Sequence, residues 1–388
     1  MTLNSILSDF PAKLVAILTI VVIGYSVTLL GVVVLMRVWR LAHARRERQF
    51  TDLWSPIFFE SMAETSKTLP VIVASDWIIF MRLYNNVQES IRGEAKEKVN
   101  ILARRVGFDR VAMQLMRQGR LARRLTAIIA LGNLREHSAE NDLQEFLLDK
   151  SPHLSLLAAW ALLRIDARSA IARIAVLCGS RADWSPVRVI QMLNEAGTDT
   201  VGDSLSRAAA HAPPDDAVRL LGFLEATRCI TAVPLARDIL GRKDLDDRLT
   251  IACIRLLAEL AGPEDLPDIR GYLQHHNWCV RLHAVKALGR LGSVEDENYM
   301  ISLLDDDNWW VRFRTAEALA NSSFMTMARL IDIKTRVSTK AQEVLTPFSS
   351  PHPLRSKPSV CYQSKSVQPW AVFRDRGLTP EPTNERGG

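Results

Sequence analysis

The first pattern along the chain is an unbroken apolar run near the N-terminus. Residues 14–36 form a stretch of 23 residues without a charged side chain. As an α-helix at 1.5 Å per residue, this run is about 34 Å long, which is enough to cross a hydrocarbon core of ~30 Å with some tilt. The pattern predicts a transmembrane helix at 14–36, preceded by a short extracytoplasmic N-terminus at 1–13.

The charges that flank the run predict its orientation. Lys13 alone lies on the N-terminal side, whereas a basic juxtamembrane segment follows at 37–48. Because positive residues are retained on the cytoplasmic side, we expect a single-pass protein of the cell (inner) membrane with its N-terminus outside and residues 37–388 in the cytoplasm. A cleaved signal peptide is the alternative, but the apolar run is too long and no small-residue cleavage site follows it.

The basic residues of the juxtamembrane segment either act only as a topology signal or also contact anionic lipid headgroups. They are Arg37, Arg40, Arg45, Arg46 and Arg48.

Beyond residue 123, apolar and polar positions repeat with a period of about 31 residues. The segment from Asn277 to Gly289 matches the segment from Asn308 to Ala320 at an offset of 31. Anchoring other segments on the arginine of this template gives seven marks at spacings of 31 to 33 residues, a regularity that indicates an internal repeat. The marks are Arg124, Ser155, Arg188, Arg219, Thr250, Arg281 and Arg312.

Each repeat unit has the pattern of two helices joined by turns rich in Asp, Asn, Gly and Pro. In the second helix, exemplified by Val280–Leu291, apolar residues recur at helical spacing on one face. Alanines recur at fixed positions of this helix, where a small side chain lets neighbouring helices approach closely. Gly132, Gly289 and Gly292 are expected at helix C-caps. The pattern predicts an all-α protein with about seven ~31-residue helix pairs between residues 124 and 346.

This template resembles the HEAT-repeat family. Its features are an acidic or Asn turn, then Val-Arg, then Ala three residues after the Arg and Ala-Leu-Gly six to eight residues after it. The resemblance is closest to the short subtype typified by phycobilisome lyase subunits. It is good for 277–320 and 124–134, fair for 135–276 and poor for 49–123. It implies an α-solenoid that binds partners along a concave face, and it specifies a fold rather than an activity.

The segments that flank the repeats do not follow the template. Residues 49–123 contain amphipathic helical patterns at 77–91 and 94–106, and we expect them to form a helical cap between the membrane helix and the repeats. Residues 324–346 are predicted to hold one or two helices that cap the far end. Residues 347–388 are rich in Pro, Ser and Arg, lack periodicity and are expected to be a disordered tail.

Composition matters mainly through the placement of charge. The 388 residues are 48% hydrophobic and 24% charged, with a formal net charge of +6. Residues 92–124 carry ten basic and three acidic side chains, whereas residues 125–348 carry 25 basic and 30 acidic ones. Because the basic charge does not continue along the repeats, binding of nucleic acid is not expected. Five scattered cysteines without a CxxC pair indicate a reducing compartment rather than a disulfide scaffold.

Two sets of side chains near the repeat turns are candidates for contact with a partner, since Trp and Arg are favoured at binding hot spots. The tryptophans either pack between repeats or anchor a partner, and the adjacent pair at 309 and 310 cannot share one helix face. The arginines either present a ladder to a partner or pair with acidic turn residues. The candidates are Trp184, Trp278, Trp309, Trp310, Arg188, Arg219, Arg281 and Arg312.

One cluster has the spacing of metal ligands. His275, His276, Cys279 and His283 lie within nine residues, and the last two are four residues apart on a predicted helix. Polar residues are equally expected in this turn, and Cys253, one repeat earlier, falls at an alanine position that should be buried. The spacing leaves open whether the cluster binds a metal, and no cofactor is predicted.

The sequence contains no Gly-rich phosphate loop, nucleophile elbow or metalloprotease motif, which disfavours an enzyme. The anchor and the repeats together predict a membrane-anchored scaffold that docks a protein partner. By arrangement alone, we expect this partner in bacterial envelope machinery, for example an inner-membrane glycosyltransferase that makes a surface polysaccharide. Because HEAT-like relatives include bilin lyase subunits and DNA glycosylases, the alternative is a HEAT-type enzyme or enzyme subunit.

Overall fold

The structure is all-helical. It is a computed structural model that describes residues 3–63, 69–242 and 244–349. Within these residues the chain forms eighteen α-helices and a few 3₁₀ turns, with no β-strand. The chain divides into two compact units, residues 1–134 and 135–388. The helices of the first unit are α1 (Leu3–Ala63), α2 (Trp77–Ser90), α3 (Glu94–Arg105), α4 (Phe108–Gln118) and α5 (Leu121–Leu134).

The longest helix is α1, whose 61 residues correspond to about 90 Å at 1.5 Å per residue. It is the one helix in the described part of the chain that is long and apolar enough to cross a membrane. Its side chains from residue 21 to residue 43 are exposed. α1 continues without a break through the basic segment 37–48 to Ala63, so the predicted membrane helix, the juxtamembrane segment and the start of the predicted cap share one helix.

The C-terminal part of α1 belongs to the hydrophobic core of the first unit. Trp54 and Phe58 are fully buried. Their rings lie 5.0 and 5.5 Å from that of Phe80 in α2, and Phe80 lies 5.1 Å from Phe108 at the start of α4. Aromatic pairs of this kind add about 0.5–1.5 kcal/mol beyond the burial of their surface. Because α1 is continuous, this core is rigidly joined to the apolar part of the same helix.

A buried polar network positions α3 against α2 and α5. The Oδ1 atom of Asn100 accepts hydrogen bonds from Tyr84 Oη at 2.7 Å and from Gln88 Nε2 at 2.6 Å. Asn100 Nδ2 donates to the carbonyl of Asn133 at 3.2 Å, and Arg104 donates to the carbonyl of Leu134 at 2.6 Å. Carbonyls at a helix C-terminus lack partners within the helix. Two residues of α3 therefore complete the C-terminus of α5.

The second unit is a series of helix pairs. In most pairs a short first helix, often preceded by a 3₁₀ turn, is followed by a longer second helix, whereas the second half of α7 and α9 are longer than the second helices that follow them. The helices are α6 (Glu140–Phe146), α7 (Pro152–Ser180), α8 (Pro186–Ala196), α9 (Thr198–His211), α10 (Pro214–Ala226), α11 (Val233–Leu240), α12 (Asp247–Leu260), α13 (Leu266–Gly271), α14 (Trp278–Leu291), α15 (Glu297–Leu303), α16 (Trp309–Asn321), α17 (Met327–Arg336) and α18 (Thr339–Ser349).

α7 contains two helices of the repeat pattern. Its backbone is non-helical at Asp166, where φ is −145° and ψ is 96°. The Asp166 Oδ1 atom accepts hydrogen bonds from the backbone N–H groups of Arg168 at 3.0 Å and Ser169 at 3.4 Å, as an N-cap does. The first half of α7 therefore ends one repeat, and the second half begins the next.

The predicted period is confirmed by the helices. Each of the seven marks lies within the first two turns of a second helix, in α5, α7, α8, α10, α12, α14 and α16. The alanines of the template are buried, as Ala284 and Ala287 in α14 illustrate. Cys253, which occupies an alanine position, is fully buried as expected.

The predicted C-cap positions were right for one glycine and wrong for two. Gly292 follows α14, and its N–H donates to the carbonyl of Leu288 at 2.8 Å. Gly132 and Gly289 instead lie inside α5 and α14. A Cβ atom at Gly289 would lie 2.6 Å from the Cβ of Ala318 in α16, so this glycine permits close approach of two second helices.

The tail expected at 347–388 lies outside the described residues, except for residues 347–349. These form the last turn of α18, which ends at Ser349. The helices predicted at the far end, within 324–346, correspond to α17 and α18.

Candidate partner-docking edge

Three of the four candidate tryptophans begin second helices of adjacent repeats. Trp278 is the first residue of α14, and Trp309 and Trp310 begin α16. Each helix starts at an asparagine whose Oδ1 accepts a backbone N–H, from Cys279 to Asn277 and from Trp310 to Asn308, both at 2.9 Å. This cap satisfies a backbone group that the helix cannot, and it fixes the residue at which each tryptophan-bearing helix begins.

These tryptophans are partly exposed. The exposed fractions are 39% for Trp278, 41% for Trp309 and 51% for Trp310. The Trp309 ring stacks on Phe313 with a centroid distance of 5.1 Å and meets Trp310 edge-on at 4.9 Å. We call Trp278, Trp309, Trp310 and Phe313 the aromatic edge. Phe313 was not a sequence candidate, because its position in the template gives no signal of aromatic stacking.

Trp184 does not belong to this surface. It is 3% exposed, and the guanidinium of Arg181 lies 5.8 Å from its ring. Of the two interpretations that the sequence left open, packing applies to Trp184, and we remove it from the proposed contact residues. It precedes its repeat mark by four residues, whereas Trp278 and Trp309 precede theirs by three. One position along the chain therefore separates a buried tryptophan from two exposed ones.

The arginines at two of the marks donate hydrogen bonds to the turns that precede the second helices. Arg281 Nη1 donates to the carbonyls of His275 at 2.7 Å and His276 at 3.1 Å, while its Nε and Nη2 donate to the carboxylate of Asp306 at 2.7 and 2.8 Å. Arg312 makes the same contacts with turn carbonyls as Arg281, because its Nη1 donates to the carbonyls of Asp306 at 2.8 Å and Asp307 at 3.1 Å. Bidentate pairing of this kind fixes geometry as well as charge. Arg281 and Arg312 therefore hold the turns that carry the aromatic edge.

The two remaining candidate arginines, Arg188 and Arg219, are half-buried in α8 and α10. The side-chain hydrogen bond from Arg181 is the main cause that lowers the pKa of Asp183, and the charge of Arg219 adds a smaller effect in the same direction. Their contact with a partner stays a prediction.

The histidine cluster has a different composition from that expected. His275 Nε2 lies 3.7 Å from Asp247 Oδ1, and His276 Nε2 lies 3.8 Å from Asp247 Oδ2. In the described part of the chain, these three side chains form a group whose possible ligand atoms lie within 4.8 Å of one another, without Cys279 or His283. Asp247 is one repeat earlier, so sequence spacing gave no signal of it.

Hydrogen bonding around this group favours a structural role. The backbone N–H of Asn277 donates to Nδ1 of His275 at 3.2 Å, so the neutral ring carries its proton on Nε2, the atom that faces Asp247. A metal ion on that nitrogen would need it unprotonated. Asn277 Nδ2 also donates to Asp247 Oδ2 at 2.6 Å. The group therefore links the turn before α14 to the start of α12.

One of the five membrane-proximal arginines is part of the fold of the first unit. Arg46 Nε lies 2.8 Å from Asp76 Oδ1, and Arg46 Nη2 donates to Ser75 Oγ at 2.6 Å. Asp76 is buried, so this pair joins α1 to the segment before α2. The Arg46 side chain is still 51% exposed, so its contact with lipid headgroups stays a prediction. The other four are exposed along α1: Arg37, Arg40, Arg45 and Arg48.

Comparison with known proteins identifies the repeats. Residues 233–320, which contain the whole aromatic edge, match the family described as HEAT repeats. This part of the chain therefore consists of HEAT repeats. A search of curated proteins found no match.

Two solved structures are similar to this chain at low sequence identity. An engineered protein is 16% identical, with a TM-score of 0.32 over 76% of this chain and 78% of that one. The complex of CpcE and CpcF of phycocyanin lyase from Nostoc sp. PCC7120 is 18% identical, with a TM-score of 0.24 over 62% of this chain and 93% of that one.

Proposed function

We propose that this protein is a membrane-anchored scaffold without an enzymatic activity of its own, which docks a protein partner at the aromatic edge. The exposure of Trp309 and Trp310 at the start of α16 carries the proposal. Large aromatic side chains supply contact area at low cost in conformational entropy and are enriched at interface hot spots. Here they are held by a capped helix and by the Arg281 and Arg312 contacts to the preceding turns, so they are preorganised for binding.

Anchoring is the second part of the proposal. α1 crosses the inner membrane once with the N-terminus outside, and residues 37–388 lie in the cytoplasm. Support comes from the exposed apolar stretch of α1 and from the four exposed arginines that follow it. Anchoring confines the scaffold to the layer next to the bilayer, which raises its effective concentration toward a partner in the same membrane. The partner class that we propose to test first is an inner-membrane glycosyltransferase that makes a surface polysaccharide.

Site-specific photocrosslinking in native membranes tests the docking surface. Trp310 is replaced by p-benzoylphenylalanine in the full chain, and crosslinked proteins are identified by mass spectrometry. Val294 is the matched control, because it is 63% exposed and lies before α15 of the same repeat. We expect a crosslink to a membrane protein from position 310 that is absent from position 294. Equal crosslinking from both positions, or none from position 310, would contradict the docking surface.

Cysteine labelling tests the topology. In intact cells, a membrane-impermeant maleimide should label a Ser5→Cys variant, whereas the native Cys279 should react only after the membrane is opened. Labelling of Cys279 in intact cells would reverse the proposed orientation. A mature chain that lacks residues 1–36 would show that the apolar run is a cleaved signal and would remove the anchor.

A further inference from the structure

The segment that leads into α2 exposes a run of apolar side chains. Residues 69–74 read Leu-Pro-Val-Ile-Val-Ala, without a polar side chain. Val71 is 92% exposed and Val73 is 52% exposed, and Ala74 is exposed as well. We call residues 71–74 the valine loop. Because exposed runs of consecutive apolar residues are disfavoured in water, such a run indicates a surface that a partner or a membrane covers.

The valine loop is fixed to α1. The backbone N–H of Asp76 donates to the carbonyl of Val73 at 2.9 Å, which closes a turn at the end of the loop. Arg46 of α1 donates from Nη2 to Ser75 Oγ at 2.6 Å, and its Nε lies 2.8 Å from the carboxylate of Asp76. The loop is therefore held at one defined position along α1.

This position is close to the proposed membrane span. Arg46 lies ten residues after Met36, the last residue of the apolar run, which corresponds to about 15 Å along the helix. From Ser75 back to Val71, four residues of extended chain span up to ~14 Å. The headgroups occupy the first ~5–7 Å outside the hydrocarbon core. The valine loop is therefore within reach of the headgroup layer.

Charge favours an anionic bilayer as the surface that covers the loop. Arg45 and Arg48 are exposed on α1 next to the attachment point, and neither has an ion pair within the described residues. Asp76, the acidic residue of the turn, is buried and paired with Arg46, so it does not repel an anionic surface. Exposed apolar side chains flanked by basic ones are typical of segments that insert at the interface of anionic membranes.

We propose that the valine loop is a second membrane contact of this protein. Val71 and Val73 insert at the boundary between the headgroups and acyl chains of an anionic bilayer, while Arg45 and Arg48 bind the lipid phosphates. This inference rests on the proposed anchoring by α1. A single membrane helix leaves the first unit free to rotate about the helix axis, whereas a second contact on the same rigid helix determines which side of that unit faces the bilayer.

Fluorescence quenching by spin-labelled lipid tests the contact in the full-length chain. An environment-sensitive fluorescent amino acid replaces Val71, and the protein is placed in nanodiscs of three parts phosphatidylcholine and one part phosphatidylglycerol. Part of the phosphatidylcholine carries a nitroxide near the top of one acyl chain. We expect strong quenching at position 71, and weaker quenching when phosphatidylglycerol is replaced by phosphatidylcholine, because the arginines then lose their anionic partners.

Ile101 of α3 is the matched control position, because it is an apolar side chain of the same unit that is 47% exposed. It lies one turn after Lys98, whose Nζ donates to the carbonyl of Met62 at 3.0 Å. Met62 is about 24 Å farther along α1 than Arg46, so a probe at position 101 should be quenched little.

A pair of charge substitutions measures the contribution of one valine. With the probe at position 71, Val73→Asp removes an inserted apolar side chain and adds a negative charge. It should lower the ratio of inserted to free loop about tenfold. Ile101→Asp makes the same kind of change at the control position and should leave the quenching at position 71 unchanged.

A probe at Leu29 distinguishes failure of this inference from failure of the proposed anchoring. Leu29 lies in the apolar run of α1 and is 47% exposed. Quenching at position 29 without quenching at position 71 would overturn the second contact and leave a protein as the partner that covers the loop. No quenching at position 29 would overturn the anchoring and this inference with it.

Three further results would also contradict the proposal. They are equal quenching at positions 71 and 101, equal effects of Val73→Asp and Ile101→Asp, and unchanged quenching at position 71 in pure phosphatidylcholine.

Discussion

Arg281 is expected to be the most costly single side chain to remove near the aromatic edge. The side chains of Arg281 and Asp306 are 16% and 6% exposed, and two hydrogen bonds join them. Replacing Arg281 by Met leaves the Asp306 carboxylate buried without its counter-charge and two turn carbonyls without their donor. Breaking a buried ion pair from one side costs about 3–5 kcal/mol. We take the lower end, about 3 kcal/mol, because the backbone N–H of Asn308 still donates to Asp306 Oδ1 at 2.8 Å.

Native-state hydrogen exchange on the full chain is the appropriate assay, because repeat arrays open locally rather than all at once. A loss of about 3 kcal/mol corresponds to roughly 150-fold faster exchange for amides of α14 and α16. Arg255→Met is the matched control. Its ion pair with Glu225 has an N–O distance of 2.8 Å, but the arginine is 50% exposed. We expect it to cost less than about 1 kcal/mol.

Two further variants separate the causes of this effect. Arg281→Lys keeps the charge but lacks the planar fork, so it should fall between wild type and Arg281→Met. Adding Asp306→Asn to Arg281→Met removes the stranded charge and should recover part of the loss. The reasoning is refuted if Arg281→Met accelerates exchange no more than Arg255→Met does. It is also refuted if the double variant is less stable than Arg281→Met alone.

Three more predictions concern buried groups. Burial, followed by the charges of nearby cations, lowers the pKa of His283 from 6.5 to about 4. Because the unfolded chain then binds the proton more tightly than the folded chain, the contribution of His283 to stability should be complete above pH 6.5 and should be lost as the pH falls toward 4. A His283→Gln variant whose stability has the same pH profile as the wild type would contradict this role of His283. Gly289→Ala should lower the free energy of unfolding by about 1–3 kcal/mol through overpacking against Ala318, and thermal melting measures this loss. An unchanged melting temperature would contradict the close contact between α14 and α16. Burial raises the pKa of Cys178 and of Cys253 to about 12, so neither should react with iodoacetamide at pH 8 until the protein unfolds; modification of either in the folded chain would contradict its burial.

The period and the packing residues of this protein could be predicted from its sequence because they are local. The 31-residue offset identifies the second helices, and the alanine positions identify their buried face. Cys253 shows the strength of this inference, because its template position alone predicted burial. Gly289 shows its limit, because the repeat pattern did not reveal that this glycine lies inside the helix, where its contact with Ala318 of the next second helix requires a small residue.

The contacts that build the site are non-local, and the template carries no information about them. The Arg46–Asp76 pair joins residues from two segments that do not share a repeat. Likewise, His275 and His276 face Asp247 of the preceding repeat rather than the cysteine that is nearest in sequence. Sequence spacing pairs residues within one helix, whereas a repeat array pairs each turn with the one beside it. Candidate ligands in such proteins should therefore be sought one period away.

The same geometry explains why the edge can bind while the array stays intact. Arg281 and Arg312 use their charge on turn carbonyls and, for Arg281, on Asp306, so they support Trp309 and Trp310 without competing for a ligand. Trp309 and Trp310 are less buried than the core side chains, since they are 41% and 51% exposed. Affinity and stability thus depend on different side chains near the starts of α14 and α16. A variant at Trp310 should change docking, whereas a variant at Arg281 should change folding, and this separation makes the docking proposal testable by mutation.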